Sequence, residues 1–174
     1  ANNVEKQDPA KAIINPSYLS PYTFRMFAQV DPDHPWEQLV DSSYAIITAS
    51  MDAKLDRTST AYLPPDWISI NKTTGNITPA QVTGYTTNYS YDALRLPWRL
   101  ALDYKWYSEP RAKQLLQKMN TLSQQWTLNK AIYSSYSHDG EALNKQETPA
   151  MYGGSIGYFI VADPHLAETV YKEK

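Results

Sequence analysis

The chain of 174 residues contains no cysteine. This absence excludes disulfides, metal sites built on thiolates and cysteine nucleophiles. An excess of charge of one sign is lacking too, because 16 Lys and Arg stand against 18 Asp and Glu, for a formal net charge of −2. Such a balance provides no basic surface for nucleic acid or for an anionic membrane. We therefore expect neither of these as a partner.

Long apolar runs are missing as well. None approaches the roughly 20 residues that a membrane-spanning helix needs. The first ten residues, ANNVEKQDPA, do not form a signal peptide, although a signal removed upstream of this numbering is compatible with them. The last predicted helix reaches Lys174 without a cap, which leads us to expect that the chain is a fragment of a longer protein.

Metal and phosphate motifs are also absent from the sequence. The three histidines, His34, His138 and His165, lie far apart in predicted loops or helix starts and show no ligand spacing. No glycine-rich phosphate loop is present, and the segment GGSIG is typical of close helix packing. We expect no metal and no cofactor.

Aromatic residues with a polar group are abundant. The chain has 14 Tyr and 5 Trp but only 3 Phe. Such side chains suit half-wet surfaces, including protein interfaces and sugar-binding clefts, although an individual tyrosine is more often a core residue. The composition alone therefore favours, without specifying, a surface that binds a polar ligand with ring-shaped faces.

The periodicity predicts about six helices in consecutive pairs. Helix starts are indicated at Ser20-Pro21, Pro35, Glu109-Pro110 and Asp163-Pro164, because proline is favoured at the first helical position. The helix from Pro110 is expected to continue through Trp126. No alternating strand pattern exceeds a few residues, residues 1–14 are predicted to be a frayed entry, and residues 53–89 to be a long loop. The pattern predicts an all-α fold of helical hairpins.

The segment Ser90–Tyr107 is expected to be the central helix, starting near Tyr91, and Pro97 should kink it or mark its regular beginning. On a helix, four of its charged residues fall in one stripe between apolar faces. These are Asp92, Arg95, Arg99 and Asp103. Two interpretations stay open. The stripe is either a structural ladder of ion pairs, or it places a carboxylate at the mouth of a cleft, aimed by an arginine.

Carboxylates next to aromatic residues favour glycoside hydrolysis. That reaction uses two carboxyl groups in a cleft lined by rings. Asp92 fits the base, since Arg95 would keep it ionised and Tyr91 lies beside it. Asp66 is an alternative carboxylate, but an aspartate in a turn more often caps backbone N–H groups. The predicted stacking residues are Trp67, Tyr85 and Tyr89.

Three segments occur in a family-specific order over residues 13–107. INPSYLSPYTFRMFA, LPPDW and YSYDALRLPWRLALDYKWY resemble the C-terminal half of family 8 glycoside hydrolases, the bacterial endo-1,4-β-glucanases. The resemblance implies an (α/α)6 barrel, of which this chain would supply about half, and hydrolysis with inversion. It also implies that Asp92 is the base, oriented by Arg95 with Tyr91 beside it. By the same resemblance, the expected sugar-binding residues are Tyr18, Asn15 and Trp67.

The resemblance also implies what lies outside this chain. The general acid of the family is a glutamate in the N-terminal half, so that half of the same enzyme is an expected partner. Residues 1–174 would form the C-terminal half of one catalytic domain, with 53–89 as its long cleft loop. The residues of the NPSY and PPDW segments favour β-1,4-glucan over xylan as the substrate. The aspartate at position 92 argues against a member of the chitosanase type. A secreted or periplasmic bacterial protein is expected.

Two other classes of function stay open. A non-catalytic glucan-binding module would use the same aromatic residues and would not depend on Asp92. A helical scaffold for protein partners is the other class, but the sequence shows no self-similarity at repeat spacing to support it.

Overall fold

The computed structural model describes residues 4–5 and 8–174. This part of the chain contains seven α-helices and a small four-stranded sheet. The helices are α1 Pro21–Val30, α2 Trp36–Asp52, α3 Arg95–Tyr107, α4 Pro110–Lys118, α5 Thr121–Asn129, α6 Pro149–Ala162 and α7 Pro164–Glu173. A 3-10 turn at Pro16–Tyr18 precedes α1. Three pairs of consecutive helices pack against each other, α1 with α2, α3 with α4 and α6 with α7, in agreement with the predicted hairpins.

Local sequence fixes most helix starts. Helices α1, α4, α6 and α7 each begin with proline, whose missing N–H has no partner in the first turn of a helix anyway. Side chains cap three of these starts. Glu109 accepts from the N–H of Arg111 at 3.1 Å, Thr148 from Met151 at 3.2 Å and Asp163 from Leu166 at 3.4 Å. The predicted starts at Pro21, Pro110 and Pro164 are confirmed, and α2 begins at Trp36, directly after the predicted Pro35.

Helix α3 lies at the centre of the described part and packs against α1, α4 and α6. Its contact with α6 is close because two glycines of α6 face it. A Cβ on Gly154 would meet the carbonyl oxygen of Leu94 at 2.5 Å, and one on Gly157 would meet Cα of Trp98 at 2.5 Å. The glycines of the GGSIG segment therefore let the α6 backbone approach the start of α3.

A four-stranded antiparallel sheet was not anticipated from the sequence. Its strands are β1 Val4–Glu5, β2 Asp8–Ile14, β3 Ile68–Asn71 and β4 Ile77–Thr78, in the order β1-β2-β3-β4. Residues 8–14 are thus a strand and not a frayed entry, and the long loop 53–89 contains β3 and β4. The register pairs Ile14 with Ile68, so the end of β2 lies next to the beginning of β3.

Two helix boundaries differ from the prediction. Helix α3 begins at Arg95, and residues 91–94 form a turn, so Asp92 precedes the helix. Pro97 lies within the first turn of α3, where its ring and missing N–H do no harm. The helix predicted from Pro110 through Trp126 is two helices, α4 and α5, separated at Met119 and Asn120. The division accounts for seven helices where about six were predicted.

Within residues 4–5 and 8–174, no helix combines the length and apolar character that crossing a bilayer requires.

Candidate active site

The turn before α3 presents the carboxylate of Asp92 to solvent. The Asp92 side chain is 33% exposed, and Arg95 at the start of α3 is 32% exposed. The Nη2 atom of Arg95 donates to Oδ1 of Asp92, and its Nε donates to the backbone oxygen of Asp92 at 3.0 Å. Arg95 therefore holds both the side chain and the backbone of Asp92. The sequence predicted the contact with the carboxylate but not the contact with the backbone.

A second donor reaches the same carboxylate from residues far away in sequence. The indole Nε1 of Trp67 donates to Oδ2 of Asp92 at 2.9 Å. Each carboxylate oxygen thus accepts one hydrogen bond from the protein, and an oxygen has two lone pairs. The exposed carboxylate keeps acceptor capacity for a water molecule or a sugar hydroxyl.

Asp66 lies under the turn that carries Asp92. Its side chain is 4% exposed. Its Oδ1 accepts from the backbone N–H groups of Ser90 at 3.3 Å, Asp92 at 3.1 Å and Ala93 at 2.7 Å, and Oδ2 accepts from the hydroxyl of Ser90. Burial raises the pKa of this carboxyl, while the hydrogen bonds oppose the rise. Asp66 therefore caps backbone N–H groups, as expected of an aspartate in a turn. The groups that it caps belong to a turn about 25 positions away and not to its own turn.

The sheet brings two sequence motifs together. Because Ile14 pairs with Ile68, the residues that follow β2 and those that precede β3 meet at the same end of the sheet. Tyr18 and Trp67 make an edge-on ring contact with centroids 6.0 Å apart. The guanidinium of Arg95 lies 5.3 Å from the ring centroid of Tyr18. Tyr18, Trp67, Asp92 and Arg95 therefore form one group, hereafter the aspartate cluster.

Two further tyrosines border the aspartate cluster. Tyr85 stacks on Trp67 with centroids 4.2 Å apart and planes 12° from parallel, and it is 38% exposed. Tyr91 is the neighbour of Asp92 and is 58% exposed, and Tyr18 is 53% exposed. The cluster therefore combines a partly exposed carboxylate with neighbouring solvent-accessible phenol rings, an arrangement suited to a sugar ligand.

Two predicted sugar-binding residues lie elsewhere. Tyr89 is fully buried, exchanges backbone hydrogen bonds with Tyr136, and contacts Ser155 through its hydroxyl at 3.2 Å. Asn15 is 1% exposed, and its side-chain oxygen accepts from the N–H and the hydroxyl of Ser17 at 3.0 and 2.6 Å. The structure contradicts sugar stacking by Tyr89 and direct sugar contact by Asn15. Asn15 instead caps the turn that carries Tyr18.

The remaining charges of the predicted stripe have other partners. Arg99 donates to the backbone oxygen of Ser17, and burial lowers the pKa of its guanidinium. Asp103 is fully buried and binds Arg25 of α1 at 3.1 Å and the hydroxyl of Tyr44 of α2. Only the first pair of the stripe, Asp92 with Arg95, is an ion pair within the stripe itself.

No group of three or more potential metal ligands occurs within the described residues. His138 illustrates why its neighbourhood is structural. It is fully buried, its Nε2 lies 2.8 Å from the backbone oxygen of Ala53 and 3.2 Å from Oγ1 of Thr60, and burial lowers the pKa of the imidazole. His34 pairs with Asp31 at the surface of the α1–α2 connection.

Asp66 and Trp67 were both named from the sequence, but two of their contacts with the site were not predicted. The reach of Asp66 to the turn of Asp92, and the indole donor of Trp67, both depend on a pairing between segments about 25 positions apart. The adjacency of the two residues in PPDW was the available signal. A carboxylate next to a tryptophan carries two hydrogen-bonding groups on one short extended stretch.

The sequence matches the family model of Glycosyl hydrolases family 8 over residues 3–173. Endoglucanase A of Acetivibrio thermocellus is 30% identical over 169 residues, which cover 93% of this chain and 32% of that protein. Endoglucanase 2 of Ruminiclostridium josui is 38% identical over 101 residues, which cover 58% of this chain and 19% of that protein. The chain thus spans about a third or less of the length of these relatives.

Solved structures share the fold. A β-1,3-1,4-glucanase from Paenibacillus sp. X4 superposes with a TM-score of 0.78 at 19% identity, covering 98% of this chain and 45% of that one. Rex8A from Paenibacillus barcinonensis, solved with xylose, superposes with a TM-score of 0.68 at 22% identity, covering 92% and 41%. These neighbours are (α/α)6 barrels, and the chain supplies roughly half of such a barrel, as the resemblance implied. The extent of the family match establishes that the chain belongs to Glycosyl hydrolases family 8.

Proposed function

We propose that the chain contributes the general base of an inverting endo-1,4-β-glucanase, with Asp92 in that role. The observation that carries the proposal is the state of the Asp92 carboxylate. It is 33% exposed, lies among solvent-accessible aromatic rings, and receives one donor on each oxygen, from Arg95 and from Trp67. Such a group is fixed in direction and still accessible to a water molecule, which are the two properties a general base needs.

The proposed chemistry needs a second carboxyl group. Asp92 would remove a proton from the water that attacks the anomeric carbon, while an acid on the other side of the sugar would protonate the leaving oxygen. In inverting enzymes the two carboxyl groups lie about 6.5–9.5 Å apart, which leaves room for that water. We assign the acid to a glutamate of the N-terminal half of the enzyme, as the resemblance to the family implies. Two carboxylates of this chain do not suit that role, because Asp66 is buried with backbone donors on its carboxylate and Glu141 pairs with Arg57.

The aromatic rings of the aspartate cluster are the proposed sugar platform. Tyr18, Tyr85 and Tyr91 each expose more than a third of their surface, and Trp67 lies against Tyr85. Phenol and indole rings bind the apolar faces of a pyranose while their polar atoms reach its hydroxyls. The proposed substrate is a β-1,4-glucan. The alternative is xylan, which is supported by the similarity to Rex8A solved with xylose. We further propose secretion or a periplasmic location, where such polymers are accessible.

The decisive experiment replaces the carboxylate alone. Asp92→Asn, in the chain joined to the remainder of its catalytic domain, is expected to reduce kcat on carboxymethylcellulose by about 10²–10⁴-fold with little change in KM. Reducing-sugar release gives the rate, and NMR of the first anomer formed tests inversion. Asp52→Asn is the matched control, since Asp52 is 43% exposed in a surface pair with Lys118. Activity of Asp92→Asn within tenfold of the wild type would exclude Asp92 as the base.

A non-catalytic glucan-binding module is the second candidate, and the observation that favours it is the set of exposed rings around a single accessible carboxylate. It predicts that this chain alone binds cello-oligosaccharides, that Trp67→Ala and Tyr18→Ala abolish binding, and that no complete form of the protein hydrolyses glucan. Calorimetric titration with cellohexaose, alongside the activity assay, separates the two functions.

A further inference from the structure

Two donors, one on each oxygen, fix the carboxylate plane of Asp92. Arg95 donates to Oδ1 and Trp67 donates to Oδ2 at 2.9 Å. A rotation about the Cβ–Cγ bond would break both hydrogen bonds. Arg95 is the neighbour expected from helical spacing, whereas Trp67 comes from the segment before β3. The orientation of the carboxylate therefore depends on a residue outside the Asp92 motif.

The indole of Trp67 is itself held on several sides. Its backbone N–H donates to the carbonyl oxygen of Thr86 at 2.9 Å, and Tyr85 stacks on one of its faces. Tyr18 contacts it edge-on, and the next residue, Ile68, pairs with Ile14 in the sheet. Because Tyr85 covers one face of the ring, that face is not available to a sugar. The N–H points to Asp92 from a ring that its surroundings hold in place.

The residue before Trp67 holds the backbone of the same turn. Asp66 accepts from the N–H groups of Ser90, Asp92 and Ala93, at 3.3, 3.1 and 2.7 Å. These three groups lie in residues 90–93, directly before α3, where no helical hydrogen bonds are available to them. Two consecutive residues thus hold Asp92 at its backbone and at its carboxylate.

We propose that Asp66-Trp67 is the positioning element of the base, in which the indole N–H of Trp67 orients the Asp92 carboxylate towards the attacking water. The inference rests on the proposed function of Asp92. In this proposal the N–H of Trp67 affects the rate of the chemical step. This role is separate from the stacking on sugar that the sequence predicted for its ring. Loss of that hydrogen bond lowers kcat, because a small misplacement of a reacting group is costly to the rate. KM changes little, since the ring remains.

The test removes the N–H and keeps the ring. Incorporation of 3-benzothienylalanine at position 67 replaces the N–H by sulfur within a bicyclic ring of similar size. In the chain joined to the remainder of its domain, we expect kcat to fall about 10- to 100-fold and KM to stay within about twofold. Trp67→Phe provides a genetically encoded version and should show the same fall in kcat. An unchanged kcat with the sulfur analogue would overturn the proposal.

The chain contains a matched control for this substitution. Trp36 also donates its indole N–H to a carboxylate, Oδ2 of Asp31 at 3.0 Å, but on the α1–α2 hairpin. Trp36→Phe removes the same kind of hydrogen bond outside the aspartate cluster, and activity should stay within twofold of the wild type. A fall in kcat equal to that of the position 67 variants would attribute the effect to general loosening of the fold and overturn the proposal.

A spectroscopic readout does not depend on activity. The indole N–H signals of the five tryptophans can be observed by ¹H–¹⁵N NMR and assigned by substitution. Asp92→Asn should move the signal of Trp67 and leave that of Trp36 in place. An unmoved Trp67 signal would show that the hydrogen bond does not exist in solution.

The failures of the two proposals are distinguishable. If Asp92→Asn retains activity, the assignment of the base fails, whatever the NMR result. If Asp92→Asn is inactive and the benzothienyl variant is fully active, Asp92 is the base and the positioning role of Trp67 fails alone.

Discussion

Two aspartates at the two ends of one segment have nearly the same donors and different surroundings. Asp92 accepts from Arg95 and from the indole of Trp67, and Asp103 accepts from Arg25 and from the hydroxyl of Tyr44. In each case one oxygen faces an arginine and the other faces an aromatic donor. Asp92 is 33% exposed, however, whereas Asp103 is fully buried.

The difference shows that donors alone do not define a reactive carboxylate. Arg25 also binds Glu109, which is held by Arg111, so Asp103 belongs to a buried network that joins α1, α3 and the start of α4. Burial raises the pKa of Tyr44, whose hydrogen bond to Asp103 acts in the same direction. The charged stripe is therefore not a ladder of ion pairs along one helix, because Asp103 binds Arg25 of α1. Its far end is a structural ion pair, and its near end is accessible to solvent, as a cleft residue must be.

Removal of Asp103 should have the largest effect on stability. Asp103→Ala leaves Arg25 and the Tyr44 hydroxyl without their shared acceptor in a dry interior, and the free energy of unfolding should fall by about 3–5 kcal/mol. Urea denaturation followed by circular dichroism measures it. Asp92→Ala is the comparison, with an expected loss of about 1 kcal/mol or less because the pair is solvated. Equal losses at the two positions would contradict the assignment of structural and functional ends.

Glu109 of the buried network should also make the free energy of unfolding depend on pH in the acid range. The hydrogen bond from the Arg111 side chain lowers the pKa of Glu109 from 4.5 to about 2, against the opposing effect of burial. Because the folded-state pKa is the lower one, the stabilisation is complete above pH 4.5 and is lost as the pH falls through about 2. The loss amounts to at most about 3 kcal/mol.

Unfolding by urea at a series of pH values tests the role of Glu109. Glu109→Gln has no carboxyl to titrate, so it should be less stable than the wild type at neutral pH. The two proteins should converge in stability near pH 2. A difference that does not change with pH would show that Glu109 stabilises through packing only.

The smallest expected effect on stability concerns the packing of α6 against the first turn of α3. Gly157→Ala would put a Cβ 2.5 Å from Cα of Trp98, so α6 must move away from the first turn of α3, at a cost of about 1–3 kcal/mol. Gly153→Ala, whose Cβ meets nothing within 4 Å, should instead stabilise the helix by about 0.5–1 kcal/mol. Thermal denaturation of the pair measures both, and destabilisation by Gly153→Ala would contradict the packing described for α6.

The helical part of the fold could be predicted because its signals are local. Proline marks four helix starts, and a capping side chain accompanies it at three of them. Asp92 and Arg95 are close enough in sequence to meet in any helical or turn geometry. The sheet could not be predicted, since β2 contains a proline and no clean alternation, and its partner β3 lies more than 50 positions away. Strand pairing of this kind depends on tertiary context.

The candidate site divides in the same way. Asp92, Arg95, Tyr18 and Trp67 were named from local motifs, and the structure brings them together. Tyr89 and Asn15 belong to the same motifs, but their side chains turn inward, to Ser155 and to Ser17. Neighbouring positions in a turn carry no periodicity that separates the inner from the outer side, so the sequence could not distinguish Tyr89 from Tyr91.

The register between β2 and β3 fixes the relative position of two residues of the aspartate cluster. Ile14 opposite Ile68 sets Tyr18 against Trp67, and a strand advances about 3.3 Å per residue while alternating its faces. A single residue inserted in either strand would shift this register by one position and would therefore change how Tyr18 and Trp67 meet. The turn between β3 and β4 lies at the end of β3 that is remote from the aspartate cluster. Insertions, whether they arise in evolution or from an engineered label, should therefore be tolerated in residues 72–76 and not in the strands.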